Sequence, residues 1–224
     1  MFEYLRSLIQ HSQRIAFIFF GSRQMQELAS DYWHVLFNIA KYQSIGLLSQ
    51  AEAQRLIAEP VQGEIVYDEL AIKEILQGTG QHPYFLQMVC DRLVESCNRD
   101  KVSYVTVQRV RKALREVIET GRSHLEWLWN STSAEEQVVL AGLAECLRQG
   151  ELGTAEAIVQ RVHQIGQELQ LSVVHRALGR LAGRQILNRS SDEANFYEFT
   201  AGLYYTWIRL AHPLAQQAAG VALA

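Results

Sequence analysis

The chain has 224 residues, 48% of them hydrophobic, enough for globular cores and two domains of ordinary size, which excludes a disordered polymer. Its 21 basic and 24 acidic residues leave a net charge of -3, a balance that argues against a dedicated nucleic-acid or membrane-surface protein. Seventeen of the basic residues are arginine, the cation suited to bidentate ion pairing.

In chain order, Phe2, Leu5, Leu8 and Ile9 fall on one side of a short amphipathic helix. The same segment contains an acid and lacks an apolar core ending in small residues, so it is not a secretory signal. Ile15 to Phe20 reads as a strand buried on both faces. It is the longest apolar run, far short of the roughly 20 residues a bilayer requires, so no membrane segment is expected. The strand hands over to Gly21, Ser22 and Arg23. Met25 and Leu28 begin a short helix, the aromatic segment Tyr32-Trp33-His34 follows, and Tyr42 to Leu47 reads as a second short strand. Two short strands do not make a stable parallel sheet alone, so residues 1–46 read as an incomplete α/β remnant.

Helices with clean punctuation come next. Ser49-Gln50-Ala51-Glu52 is a capping box, and Pro60 stops the helix it starts. Asp68 caps a helix through Leu70, Ile72, Ile75 and Leu76 that runs to Gly78. The acids Asp68 and Glu69 resemble a magnesium-binding strand end, but helix capping and the helix dipole explain them better. Gly78 to Pro83 forms a turn that places proline in the first turn of the next helix, whose apolar positions include Leu86, Val89, Cys90, Leu93, Val94 and Cys97. Thr106 opens a fourth helix through Val110, Ala113, Leu114, Val117 and Ile118, completing a helical bundle over 47–130.

Ser133-Ala134-Glu135-Glu136 is a second capping box and opens the region 131–212. Helices are expected over 134–148, about 154–168 and 172–183. A hairpin of Ile186 to Arg189 with Phe196 to Phe199 follows, the order of a winged helix-turn-helix. A closing helix spans 200–210, and residues 213–224 read as a frayed tail. Three cysteines with no CxxC and no zinc-type spacing point to a reducing, cytoplasmic compartment and to no metal.

No GxxxxGK[ST], HExxH or GxSxG occurs, so neither a phosphate-cradling loop nor a hydrolytic constellation is present. Three segments lift the chain above a generic helical protein: Phe19 to Arg23, Ile45 to Ala53, and Gly80 to Phe85. Their order, with a winged helix after them, resembles the C-terminal two-thirds of a STAND-type ATPase, the signal-transducing branch of the AAA-like P-loop superfamily. The resemblance covers about residues 1–212. It implies a mainly α chain with a partial P-loop core, a helical lid and a winged helix-turn-helix.

It further implies that Ser22 and Arg23 sense the terminal phosphate of a nucleotide. Leu47 and Leu48 would flank the base, while Gly80, His82 and Pro83 would bring the lid to the base or sugar. ATP or ADP with magnesium would be the ligand of the complete protein, bound only weakly by this chain alone, and exchange of ADP for ATP would change how the winged helix docks. The phosphate loop and acidic strand that the resemblance places before residue 1 are not in the sequence. The expected partner is therefore a missing N-terminal ATPase half or a split partner chain, with self-association as a further expectation, and the chain alone is not expected to hydrolyse ATP.

A DNA-binding regulator is the alternative: His175, Arg176, Arg180 and Arg184 give the third winged-domain helix one basic face, although Ser190 to Glu193 makes the wing tip acidic. A scaffold anchored by Tyr32-Trp33, Trp127 to Trp129 and Tyr204-Tyr205 is the third reading.

Overall fold

The computed structural model describes residues 2–11, 16–18, 43, 45–190 and 195–217. Packing divides the chain into Met1–Gly46 and Leu47–Ala224. In the first unit, α1 (Phe2–His11) is the described helix. Of the strand expected over 15–20, residues 16–18 are described; they have no regular secondary structure, and Ile18 is 75% exposed rather than buried. Gln43 and residues 45–47, from the second expected strand, are likewise irregular. An apolar run becomes a strand through its ladder with a neighbour, and the described residues here belong to no assigned sheet. Ser22 and Arg23 lie outside the described residues.

The second unit is mainly helical. Ser49 caps α2 (Gln50–Ala58): its backbone N–H donates to Glu52 at 2.8 Å while its hydroxyl accepts from the Glu52 backbone at 3.3 Å. Pro60 sits in the 3-10 turn that ends the helix. Asp68 accepts from Leu70 N at 3.0 Å and caps α3 (Glu69–Thr79). α4 (Pro83–Asp100) begins with its proline at the first helical position, where no N–H is missed. α5 (Val107–Thr120) is capped by Thr106, and α6 (Arg122–Asn130) follows directly after Gly121. One element here escapes periodicity: β1 (Val66–Tyr67) pairs in parallel with β2 (Tyr104–Val105), Val66 opposite Tyr104, clasping the far ends of the α3–α4 pair.

The second capping box starts α7 (Ala134–Arg148), which is buried along most of its length from Val138 to Cys146. α8 (Ala155–Gln164) stops short of the expected 168 because Gly166, at φ +79°, takes the chain out of the helix. α9 (Leu171–Gly183) leads into the antiparallel hairpin of β3 (Leu187–Arg189) and β4 (Tyr197–Phe199), with Leu187 opposite Phe199. The hairpin is extended at its base: Tyr197 N donates to Gly153 O at 2.9 Å, and a Cβ on Gly153 would meet Tyr197 O at 2.3 Å. α10 (Gly202–Ala211) and α11 (Leu214–Gln217) close the described chain. Leu214, expected in a frayed tail, is buried, and α11 packs on α7.

A single apolar core runs from Ala53 and Ile57 through Phe85, Leu86 and Leu93 to Leu143, Leu178, Trp207 and Leu214. Each of the larger aliphatic and phenyl side chains among them contributes about 1.5–3 kcal/mol on burial. α10 packs against α3, α5 and α7, so residues 47–130 and 131–217 share this core. Among the described residues, no helix is long and apolar enough to cross a membrane.

Candidate functional site

The turn between α3 and α4 gathers most of the residues the sequence singles out. Gly80 ends α3 in the left-handed region at φ +59°, donating to Leu76 O at 2.9 Å, and Gln81 follows it at φ +59°. His82 N donates to Thr79 O at 3.2 Å, and the buried Thr79 hydroxyl donates to Ile75 O at 2.7 Å, so the turn is internally tied. Leu48 N donates to Gln81 O at 3.2 Å. That bond brings the Leu47-Leu48 segment against the Gly80–Pro83 turn, two segments the sequence shows only as separate motifs.

From another side the turn meets the chain after β4. A Cβ on Gly80 would lie 2.2 Å from Thr200 O and 2.6 Å from Thr200 C, and one on Gly202 would lie 3.3 Å from Gln77 O. Backbone therefore lies on backbone, with no side chain to yield. The structure gives Gly80 this packing task beside the lid role that the resemblance implies for it.

His82 lies in an aromatic cluster. Its ring centroid is 5.1 Å from Phe85 and 5.8 Å from His124, and His124 lies 4.5 Å from Tyr84 and 5.7 Å from Trp127. Tyr84 and Trp127 are 40% and 46% exposed, so the cluster reaches the surface. His82 Nδ1 and His124 Nε2 are buried without a hydrogen-bond partner among the described residues. Burial holds both imidazoles below the ordinary histidine pKa, with each other's proximity a second cause at His82. The place thus presents the partly exposed rings of Tyr84 and Trp127 beside two imidazoles. None of residues 78–85 is Lys or Arg. Among the described residues, no group of three or more His, Cys, Asp or Glu is placed to hold a metal ion.

His124 and Glu136 are the residues that sequence reasoning passed over. His124 meets His82 only through tertiary packing of α6 on α4, which no local pattern announces. Glu136 was read as a cap and is one, accepting from Ser133 N at 2.9 Å. It also lies 3.2 Å from Arg180 Nε and 3.6 Å from Arg184 Nη1. Arg184 donates further to Ser131 Oγ at 2.7 Å. Of the four residues proposed for DNA, His175 and Arg176 are exposed, while Arg180 and Arg184 are engaged within the fold.

No protein-family model matches the sequence, and no curated protein matches it significantly. Among solved structures, the chain is similar to a chain of "Structure of Drosophila ORC bound to DNA", at 18% identity and a TM-score of 0.28. The match covers 71% of this chain and 44% of that one, so it spans under half of that chain's length. At this TM-score the likeness carries no argument about function.

Proposed function

We propose that residues 47–130 are the lid and residues 131–212 the winged helix of a STAND-like, AAA-like ATP-binding signal-transduction protein, with residues 1–46 a remnant of its α/β core. In this reading the chain senses the nucleotide and relays its state to the hairpin half. ATP or ADP with magnesium is the ligand of the complete protein; Leu47 and Leu48 flank the base, Gly80, His82 and Pro83 bring the lid to the base or sugar, and Ser22 and Arg23 sense the terminal phosphate. Hydrolysis requires a phosphate loop supplied by another segment or a partner chain. The observation that carries the reading is the double attachment of the Gly80–Pro83 turn: Leu48 holds it on one side at 3.2 Å, and the backbone at Thr200 abuts it on the other. A shift imposed on such a turn by a ligand reaches β4 and α10 with no slack, because close-packed backbone does not compress.

The test begins with the source DNA upstream of Met1, in frame. If it encodes GxxxxGK[ST], the longer polypeptide is produced and amide exchange is followed with and without ADP and magnesium. Protection is expected at both 79–84 and 197–203. Protection confined to the turn would reject the relay, and failure of the longer polypeptide to bind ADP would reject the family reading. ATP turnover by the purified 224-residue chain, free of contaminating ATPase, would reject the claim that it needs a partner.

A further inference from the structure

His82 and His124 come from different helices and meet where α4 and α6 pack. His82 is the N-cap residue of α4, its carbonyl accepting from Leu86 N at 2.9 Å, and His124 lies in the first turn of α6, its N–H donating to Gly121 O at 3.1 Å. The ring centroids are 5.8 Å apart. Each ring keeps one buried nitrogen, Nδ1 of His82 and Nε2 of His124, without a hydrogen-bond partner among the described residues. An orphaned polar atom is costly, and two on neighbouring rings point to one shared partner.

The walls restrict what that partner is. Phe85 lies 5.1 Å from His82 and 5.4 Å from His124, and Tyr84 and Trp127 lie 4.5 and 5.7 Å from His124, centroid to centroid. Among the described residues, no third His, Cys, Asp or Glu is placed to join the two imidazoles. A divalent ion held by two neutral nitrogens keeps its full charge beside apolar rings, the expensive case for a buried charge, and Zn²⁺ in structural sites takes four ligands. Cu(I) carries a single charge, and two imidazole nitrogens satisfy this closed-shell ion; copper is among the metals that imidazole suits. The spacing agrees. An ion about 2.0–2.1 Å from a ring nitrogen lies about 3.2 Å from the ring centre, so two rings sharing it have centroids no more than about 6.4 Å apart. Burial also favours, in both residues, the neutral imidazole that a metal requires.

We propose that His82 Nδ1 and His124 Nε2 form a two-coordinate site for Cu(I) between α4 and α6. The bound ion ties the first turn of α6 to the residue that opens α4. The inference does not depend on the nucleotide reading.

The test uses the full chain, isotope-labelled at its histidine ring nitrogens, with Cu(I) kept reduced by ascorbate under nitrogen gas and added to one equivalent. The ring-nitrogen resonances of His82 and His124 are expected to move together, while those of the exposed His163 and His175 stay in place. In competition with a chromophoric chelator, His82→Phe and His124→Phe, each verified as folded by circular dichroism, should each weaken binding by at least the roughly tenfold that loss of a supporting group alone costs a metal site. Movement of one imidazole only, or of neither, the outcome expected if a water joins the two nitrogens, would overturn the proposal. So would an affinity unchanged in both variants, which would place the ion at the thiols of Cys90, Cys97 or Cys146 instead.

Discussion

Replacing Gly80 with alanine isolates the contact on which the relay depends. Two costs add. At φ +59° a Cβ incurs about 1–2 kcal/mol, the penalty of the left-handed region for an L-residue. The same Cβ would lie 2.2 Å from Thr200 O, and forcing backbone apart in a packed interior costs about 1–3 kcal/mol more. The sum, about 2–5 kcal/mol, is a large part of the roughly 5–15 kcal/mol that holds an ordinary domain together. Gly63 provides the control, because it has φ +87° and nothing within 4 Å of its would-be Cβ. Gly63→Ala therefore meets the conformational cost without the collision. Urea unfolding followed by tryptophan fluorescence should show a much lower midpoint for Gly80→Ala than for Gly63→Ala, at similar slope. Equal midpoints for the two variants would refute the claim that the turn and the Thr200 segment touch through backbone.

Stability should fall as pH drops below about 6.5, because unfolded imidazoles protonate near that value while partial burial makes His82, His124 and His212 resist protonation in the fold, so the unfolded state binds more protons there. Urea midpoints between pH 7 and 5 read the slope, and His82→Phe with His124→Phe should flatten it. A separate loss belongs to Glu145, held down to about 2 chiefly by its hydrogen bond from Arg148, whose contribution is intact above the ordinary carboxylate pKa and disappears as pH falls toward about 2. Glu136→Gln should destabilise the chain by about 1–3 kcal/mol, since it strips a buried acceptor from Arg180 and Arg184, whereas Glu135→Gln should change stability by under about 0.5 kcal/mol. Equal unfolding midpoints for those two variants would contradict the distinction between them. Burial pushes the thiols of Cys90 and Cys146 up to about 11, so iodoacetamide at pH 8 should leave both unmodified in the native protein and label them in urea, as read by mass spectrometry.

The helices of the second unit were legible because their signals are local. Ser49 with Glu52, Asp68, Thr106, and Ser133 with Glu136 each mark a start within four residues, and each forms the expected cap. The antiparallel hairpin was legible for the same reason, its two apolar runs being close in sequence. The β1–β2 pair was not, because Val66 finds Tyr104 only after two helices have folded back between them. Residues 122–130 stood out in the sequence only for Trp127 and Trp129, so α6 went unread as a helix, and with it the approach of His124 to His82. Within the site, Leu47, Leu48, Gly80, His82 and Pro83 were legible as motifs, and the Leu48–Gln81 bond joins their segments. What motifs leave open is what a glycine is small for, and at Gly80 the answer is Thr200.

The clasp of β1 on β2 has a mechanical consequence. It fixes the root of α3 and of α4, while the turn joining their other ends bears on the backbone at Thr200. α3, at eleven residues about 16 Å long, is then a strut supported at both ends rather than a lever free at its tip. A load applied at the tip passes along the strut or into its far support, and little is dissipated by bending. Softening either support, by shortening the clasp or widening the seat at Thr200, would turn a stiff linkage into a loose one.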